Sequence, residues 1–210
     1  MGIIHDKMMG QFRKPKGIVG NFIIKHMNEE HFDLTTWGLD GIDAPERSII
    51  LDAGCGGGRT VSRLLEKVPD GRVFGIDYSL DSVKMAEKYN ESAVRQGKVK
   101  VIQSSIEKLP FEDDKFDIVT AIETVYFWPD VLENFKEVRR VLKSSGKFVV
   151  VNEVYKDDRF KERNERYCRL CNMKIHTPEE MKNLFEQAGF CNIKTDIEGD
   201  KNWMRVMGEK

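Results

Sequence analysis

From Ser48 onward, short runs rich in Val, Ile and Phe alternate with stretches whose apolar residues fall at helical spacing. A chain that alternates in this way is expected to build βαβ units around a parallel sheet. The runs are 48–52, 72–77, 98–103, 116–122 and 147–152, apolar enough for strands covered on both faces. Helices are expected over 59–68, 80–96 and 131–142. In the second, Leu80, Val83, Ala86, Tyr89, Ala93 and Val94 share one face, and Ser79 stands at the N-cap position.

After Asn152 the alternation gives way to a charged helical stretch, 157–172, and then to Thr177-Pro-Glu-Glu180, a capping-box opening for a helix that Gly189 ends. Two last β-rich runs, 191–197 and 202–207, are separated by four residues, which reads as a hairpin. The sheet should therefore finish with an antiparallel strand. The first 45 residues do not join the alternation: a basic stretch, Arg13 to Gly17, precedes an amphipathic segment over 21–31. They are read as an N-terminal lid, residues 1–45, on a ligand-binding domain, residues 46–210, within one structural domain.

A chain of 210 residues can bury about 70% of its unfolded surface around one core. Its 34 Lys+Arg balance 35 Asp+Glu, so no basic excess points to a nucleic-acid partner. No stretch holds the ~18 uncharged apolar residues of a membrane span and no leader pattern opens the sequence, so a cytoplasmic chain without a membrane partner is expected. Cys55, Cys168, Cys171 and Cys191 are read as reduced thiols. Cys168-x2-Cys171-x4-His176 begins like a zinc knuckle, but its fourth ligand would fall on Met181, so no metal is expected.

The strongest local signal is Ile49-Ile-Leu-Asp-Ala-Gly-Cys-Gly-Gly-Gly-Arg59, a strand running into a glycine turn that opens a helix. Glycines permit positive φ and let the backbone come within contact distance of a ligand. In a dinucleotide fingerprint the third glycine would fall on Arg59, so the match fails. The pattern is instead Asp52-x-Gly54-x-Gly56-x-Gly58, and the acidic residue before it suits a cationic ligand such as S-adenosylmethionine. Asp77 closes the next strand at the spacing where a carboxylate takes both ribose hydroxyls.

From Ser48 to Gly146 these motifs resemble the class I S-adenosylmethionine-dependent methyltransferases, and among them the type 11 methyltransferase-domain family. Residues 49–58 resemble its glycine motif, 73–78 its acidic-loop motif, 104–111 the segment bordering the adenine, and Arg140-Val-Leu-Lys143 the lead into the fifth strand. The resemblance implies a doubly wound, Rossmann-like α/β fold with a seven-stranded sheet in the order 3-2-1-4-5-7-6. It also implies a cofactor site at Asp52, Gly54, Cys55, Gly56, Asp77, Tyr78, Ser105, Ile106 and Glu123. Two departures stand out: Ser105 replaces the aspartate common opposite the adenine amino group, and Ser144-Ser145-Gly146 replaces a Pro-Gly.

For the acceptor, the run Glu123-Thr-Val-Tyr-Phe-Trp-Pro129 follows the fourth strand, at the sheet edge where a pocket would open. Glu123, Tyr126 and His31 are the catalytic candidates, and Tyr126, Trp128, His26 and Tyr155 the pocket candidates, with the aromatics placed to face a sulfonium. No Asn/Asp-Pro-Pro-Tyr segment and no Pro-Cys nucleophile follow the fourth strand, which favours a small organic acceptor over a nucleobase. The alternatives are a non-catalytic module that binds S-adenosylmethionine and a nicotinamide-dependent oxidoreductase.

Overall fold

The structure, a computed structural model, describes residues 32–210. The segment expected to be helical over 21–31, with His26 and His31, lies outside the described residues. The described chain runs α1 (Phe32–Asp40), β1 (Ile49–Ala53), α2 (Arg59–Lys67), β2 (Arg72–Asp77), α3 (Leu80–Tyr89), α4 (Glu91–Arg95), β3 (Val99–Gln103) and β4 (Phe116–Ile122). After a 3₁₀ turn, Val125–Phe127, come α5 (Val131–Val141), β5 (Leu142–Asn152), a second 3₁₀ turn, Asp158–Phe160, and α6 (Lys161–Cys171). The chain closes with α7 (Pro178–Gln187), β6 (Cys191–Glu198) and β7 (Trp203–Glu209).

The seven strands lie in the order β3-β2-β1-β4-β5-β7-β6, with β1 to β5 parallel. β7 is inserted antiparallel between β5 and β6. Both the order and the antiparallel ending are those expected from the sequence. The chain leaves β1 outward to β2 and β3 and returns to β4 on the other side, so a crevice opens above the carboxyl ends of β1 and β4, where sheets of this kind bind ligands.

Alternation along the strands sorts the core into two layers. Leu51, Val119, Ala121, Phe148 and Val150 face α5 and α7, where Phe148 stacks on Phe185 at 5.0 Å and meets Phe135 edge-on at 4.9 Å. Ile50, Ile118, Val149 and Val151 face the opposite layer, with Val61 and Leu64 of α2, Val83 of α3 and Leu34 of α1. Helix starts follow their capping residues: Ser79 Oγ accepts from the Ser82 amide at 3.4 Å, and Thr177 and Glu180 form the reciprocal capping box.

The charged helix expected over 157–172 begins as a 3₁₀ turn and is α-helical only from Lys161, and two further boundaries depart from expectation for visible reasons. The single helix expected over 80–96 is broken at Asn90, which leaves helical geometry (φ −103°, ψ 22°). β5 starts five residues early because a bulge joins Leu142 to the sheet, the register stepping from Phe116↔Leu142 to Ile118↔Lys147. Helix α1 packs on the sheet at Gly38, where an added Cβ would come within 2.8 Å of a Val151 methyl. Arg205 of β7 ties it down, donating to the carbonyls of Trp37 at 2.9 Å and Gly38 at 3.3 Å. No helix among the described residues is long and apolar enough to cross a membrane.

Candidate active site

A cavity of about 490 Å³ opens above the carboxyl ends of β1, β2 and β4, within the range of about 300–1,000 Å³ usual for small-molecule sites. Its back wall is the glycine turn. The amides of Gly54 and Cys55 both donate to the Ile76 carbonyl, at 2.8 and 2.9 Å, which locks the turn onto β2. Gly56 sits at φ +50°, and a Cβ added there would meet nothing within 4 Å, so the backbone is bare toward the cavity. Gly58 is required for a different reason: a Cβ there would lie 2.7 Å from both Ala86 Cα and Asn90 Nδ2. Asn90 in turn donates to the carbonyls of Gly58 at 2.8 Å and Ala86 at 2.9 Å, holding the turn from below.

Asp77, at the end of β2, lies on the wall. One carboxylate oxygen accepts from the Gly56 amide at 3.1 Å and the other from the Ser79 amide at 2.8 Å, and Ser82 adds a side-chain donor. Burial pushes its carboxyl up, and those donors oppose the push. An ionised carboxylate has about four acceptor positions, so acceptor capacity is left for a ligand's hydroxyls. Tyr78, Ser105 and Ile106 continue the wall past β2 and β3.

The same wall includes residues the sequence did not single out. Glu107 accepts from the Ser105 hydroxyl at 2.9 Å, so a carboxylate stands beside the position where Ser105 replaces the common aspartate. An acid two residues downstream was the available signal. Phe32 and Thr35 of α1 also line the cavity, with Arg59 and Arg63 of α2, whose guanidinium carbons each lie 4.8 Å from the Phe32 ring centroid. Nothing in the sequence pattern pairs α1 with the glycine turn.

At the end of β4, Glu123 and Trp128 line the cavity together with Thr124 and Phe127. Trp128 is nevertheless mostly a core residue, stacked on Phe148 at 6.3 Å and edge-on to Phe135 at 5.8 Å, and its indole N–H donates to Thr124 at 3.3 Å. Removing it would open a core cavity, so it is a poor probe of acceptor binding.

Three expected site residues lie off the wall. Tyr126 is buried behind Glu123 and donates to its carboxylate at 2.5 Å, because the 3₁₀ turn directs its side chain inward. Tyr155 is buried where β5 ends, its carbonyl accepting from Asn164 at 2.8 Å and Asn202 at 3.1 Å, so it joins α6 to the hairpin. Asp52 lies beneath the turn, where Thr120 donates to one of its oxygens at 2.8 Å. Its other oxygen is buried without a hydrogen-bond partner among the described residues. Burial pushes the Asp52 carboxyl up to about 7, with Asp77's charge adding to the rise and Thr120 opposing it. Among the described residues no group of three or more His, Cys, Asp or Glu is arranged to hold a metal ion.

A bare glycine backbone and a carboxylate at ribose spacing fit a nucleoside ligand, and three wall carboxylates against two guanidiniums leave the cavity net negative. Comparison with known proteins agrees. A family model described as a methyltransferase domain matches residues 46–189; the type 11 domain named above is a close variant of it. The demethylmenaquinone methyltransferase of Staphylococcus aureus strain JH9 is 33% identical over 167 residues, covering 69% of this chain and 68% of that protein. Among solved structures, an S-adenosylmethionine-dependent methyltransferase from Aquifex aeolicus superposes with a TM-score of 0.72 at 21% identity, covering 89% of this chain and 96% of that one. A Haloferax volcanii methyltransferase, in complex with the Trm112 methyltransferase activator, gives 0.77 at 20%, covering 89% and 92%. These two likenesses show the fold.

Proposed function

The chain belongs to the class I S-adenosylmethionine-dependent methyltransferases, and from that premise we propose that it methylates a small organic acceptor held in the cavity above β1 and β4. The cofactor is S-adenosylmethionine, which supplies a methyl group already activated by its sulfonium. Gly56 gives it backbone contact, Asp77 takes the ribose hydroxyls, and Ser105, Ile106 and Glu107 border the adenine. Tyr78 closes the outer rim. The protein's remaining task is to hold the acceptor in line with that methyl and keep water out.

The observation that carries the reading is the single cavity in which the Asp77 wall and the Glu123 wall meet. Phe32 and Thr35, on its rim, support the division into a lid, residues 1–45, and the methyltransferase domain that follows. The balanced charge of the chain supports a small acceptor over nucleic acid. The test is a screen of thiols, phenols, amines, carboxylates and demethylmenaquinone for release of S-adenosylhomocysteine. Turnover with a small compound is expected; turnover only with RNA or a protein overturns the acceptor class. Removing the first ~20 residues should lower turnover far more than melting temperature, whereas equal turnover would remove the lid from the reading.

A further inference from the structure

Arg59 and Arg63 stand one turn apart on α2, and both line the cavity together with Phe32 and Thr35 of α1. Residues four apart on a helix share a face, so two like charges are brought side by side, which is unfavourable unless an opposite charge offsets it. For Arg63 the protein supplies no close partner of that kind. Among the described residues no carboxylate oxygen lies within 4.0 Å of its guanidinium. Burial, and then the charge of Arg59, push that guanidinium down from its ordinary value, while the charges of Glu66 and Asp40 oppose the push.

The Arg63 guanidinium is nevertheless held in place. It donates to the Phe32 carbonyl at 3.2 Å and to the Thr36 hydroxyl at 2.8 Å, and its carbon lies 4.8 Å from the Phe32 ring centroid. Those two bonds leave three of the five N–H donors of an arginine. Anchoring α1 requires only a donor, and a neutral side chain would supply one without setting two cations together. A fixed guanidinium in a cavity wall, with donors remaining and a like charge beside it, is suited to take a carboxylate in a paired, planar contact. Phe32 stands next to it and is 44% exposed, which leaves an apolar surface for the body of a small molecule.

Two ligands can bring a carboxylate here, the methionine end of the cofactor and the acceptor. Arg59 opens α2 directly after the glycine turn, whereas Arg63 lies about 6 Å further along the helix axis, at 1.5 Å per residue, and is bound to α1. The second position suits a molecule that enters past α1. Resting on the methyltransferase reading, we propose that the acceptor is a small organic acid whose carboxylate is bound by Arg63, with Arg59 beside it, against the face of Phe32. Arg63 is then a specificity-determining residue, and the carboxylate is the group by which the acceptor is held.

The probe is benzoate, compared with the neutral benzamide, in calorimetry on the full chain saturated with S-adenosylhomocysteine. The parent should bind benzoate roughly tenfold or more tightly than benzamide, and Arg63→Gln should erase the preference. Thr36→Val removes one anchor of the same contact but leaves the charge, so it should keep the preference. Arg63→Lys covers the case of a glutamine variant that does not fold: it keeps a charge and a donor, and should weaken benzoate alone roughly three- to tenfold, because an ammonium cannot make the paired contact. In the acceptor screen, each acid is run beside its amide, and Arg63→Gln should raise KM for the acids alone.

Equal binding of benzoate and benzamide by the parent overturns the subsite, as does benzoate binding unchanged in Arg63→Lys. Loss of the preference in Thr36→Val as fully as in Arg63→Gln shows that the docking of α1 sets it, and overturns the role of the guanidinium. If Arg63→Gln weakens S-adenosylmethionine and leaves its decarboxylated analogue unchanged, the carboxylate is the cofactor's and the acceptor proposal falls. If the parent binds neither S-adenosylmethionine nor S-adenosylhomocysteine, it is the methyltransferase reading that fails.

Discussion

At the scale of single residues, two aspartates only 25 positions apart in sequence do opposite things. Asp77 faces the cavity and also gathers the Gly56 and Ser79 amides, so it shapes the turn as well as the ligand site. Asp77→Ala should weaken S-adenosylmethionine binding by about 2–3 kcal/mol, or roughly 30- to 150-fold, measured by calorimetry. Parent-like binding would displace the ribose from Asp77. Asp52 instead is buried with one oxygen unpartnered and its carboxyl pushed up to about 7. Between the ordinary carboxylate range and about 7, the folded state holds a proton that the unfolded state has released. Asp52 thus favours folding fully below about pH 4, and that contribution is lost as pH rises to about 7. The stability of the unliganded parent, relative to Asp52→Asn, should fall by roughly 2–3 kcal/mol between about pH 5 and pH 8 in urea titrations. A pH-independent difference would show that Asp52 is ionised throughout.

At the scale of elements, the break between α3 and α4 shows how the glycine turn is held. Asn90 leaves the helix so that its side chain can donate to the Gly58 and Ala86 carbonyls. Asn90→Ala should cost about 1–3 kcal/mol, because two buried side-chain hydrogen bonds, to the Gly58 and Ala86 carbonyls, are lost, and should weaken cofactor binding along with it. Gly58→Ala should be worse, since its Cβ would press on backbone at Ala86. Melting curves with and without S-adenosylmethionine check both. The strands were legible because their apolar runs have no other place to go: 72–77 and 116–122 keep their expected bounds. The break at Asn90 was not, because Val83, Ala86, Ala93 and Val94 carry helical spacing straight through it, and only the turn from a distant part of the chain explains it. The direction of Tyr126 was hidden for a similar reason. Pocket and core both accept an aromatic, and the choice is made by Glu123 and the 3₁₀ turn.

At the scale of the whole molecule, the sheet is completed by its last strand rather than built outward in order. β5 gains its second neighbour only when β7 docks antiparallel along Lys147 to Asn152, bringing the fully buried Met204 and Val206. A chain ended after Gln187 should lose the cooperative melting transition and aggregate, checked by circular dichroism and light scattering. Retention of a parent-like melt would mean that five strands suffice. The same insertion sets a timetable during synthesis. After Asn152 leaves the ribosome, residues 153–209 take roughly 3 to 11 seconds to follow at about 5–20 residues per second. Through that interval β5, with Phe148 and Val150 on one face and Val149 and Val151 on the other, waits with one edge unpaired. The nascent chain should then be a substrate for chaperones, and codon choice between 153 and 209 should act as a lever on yield.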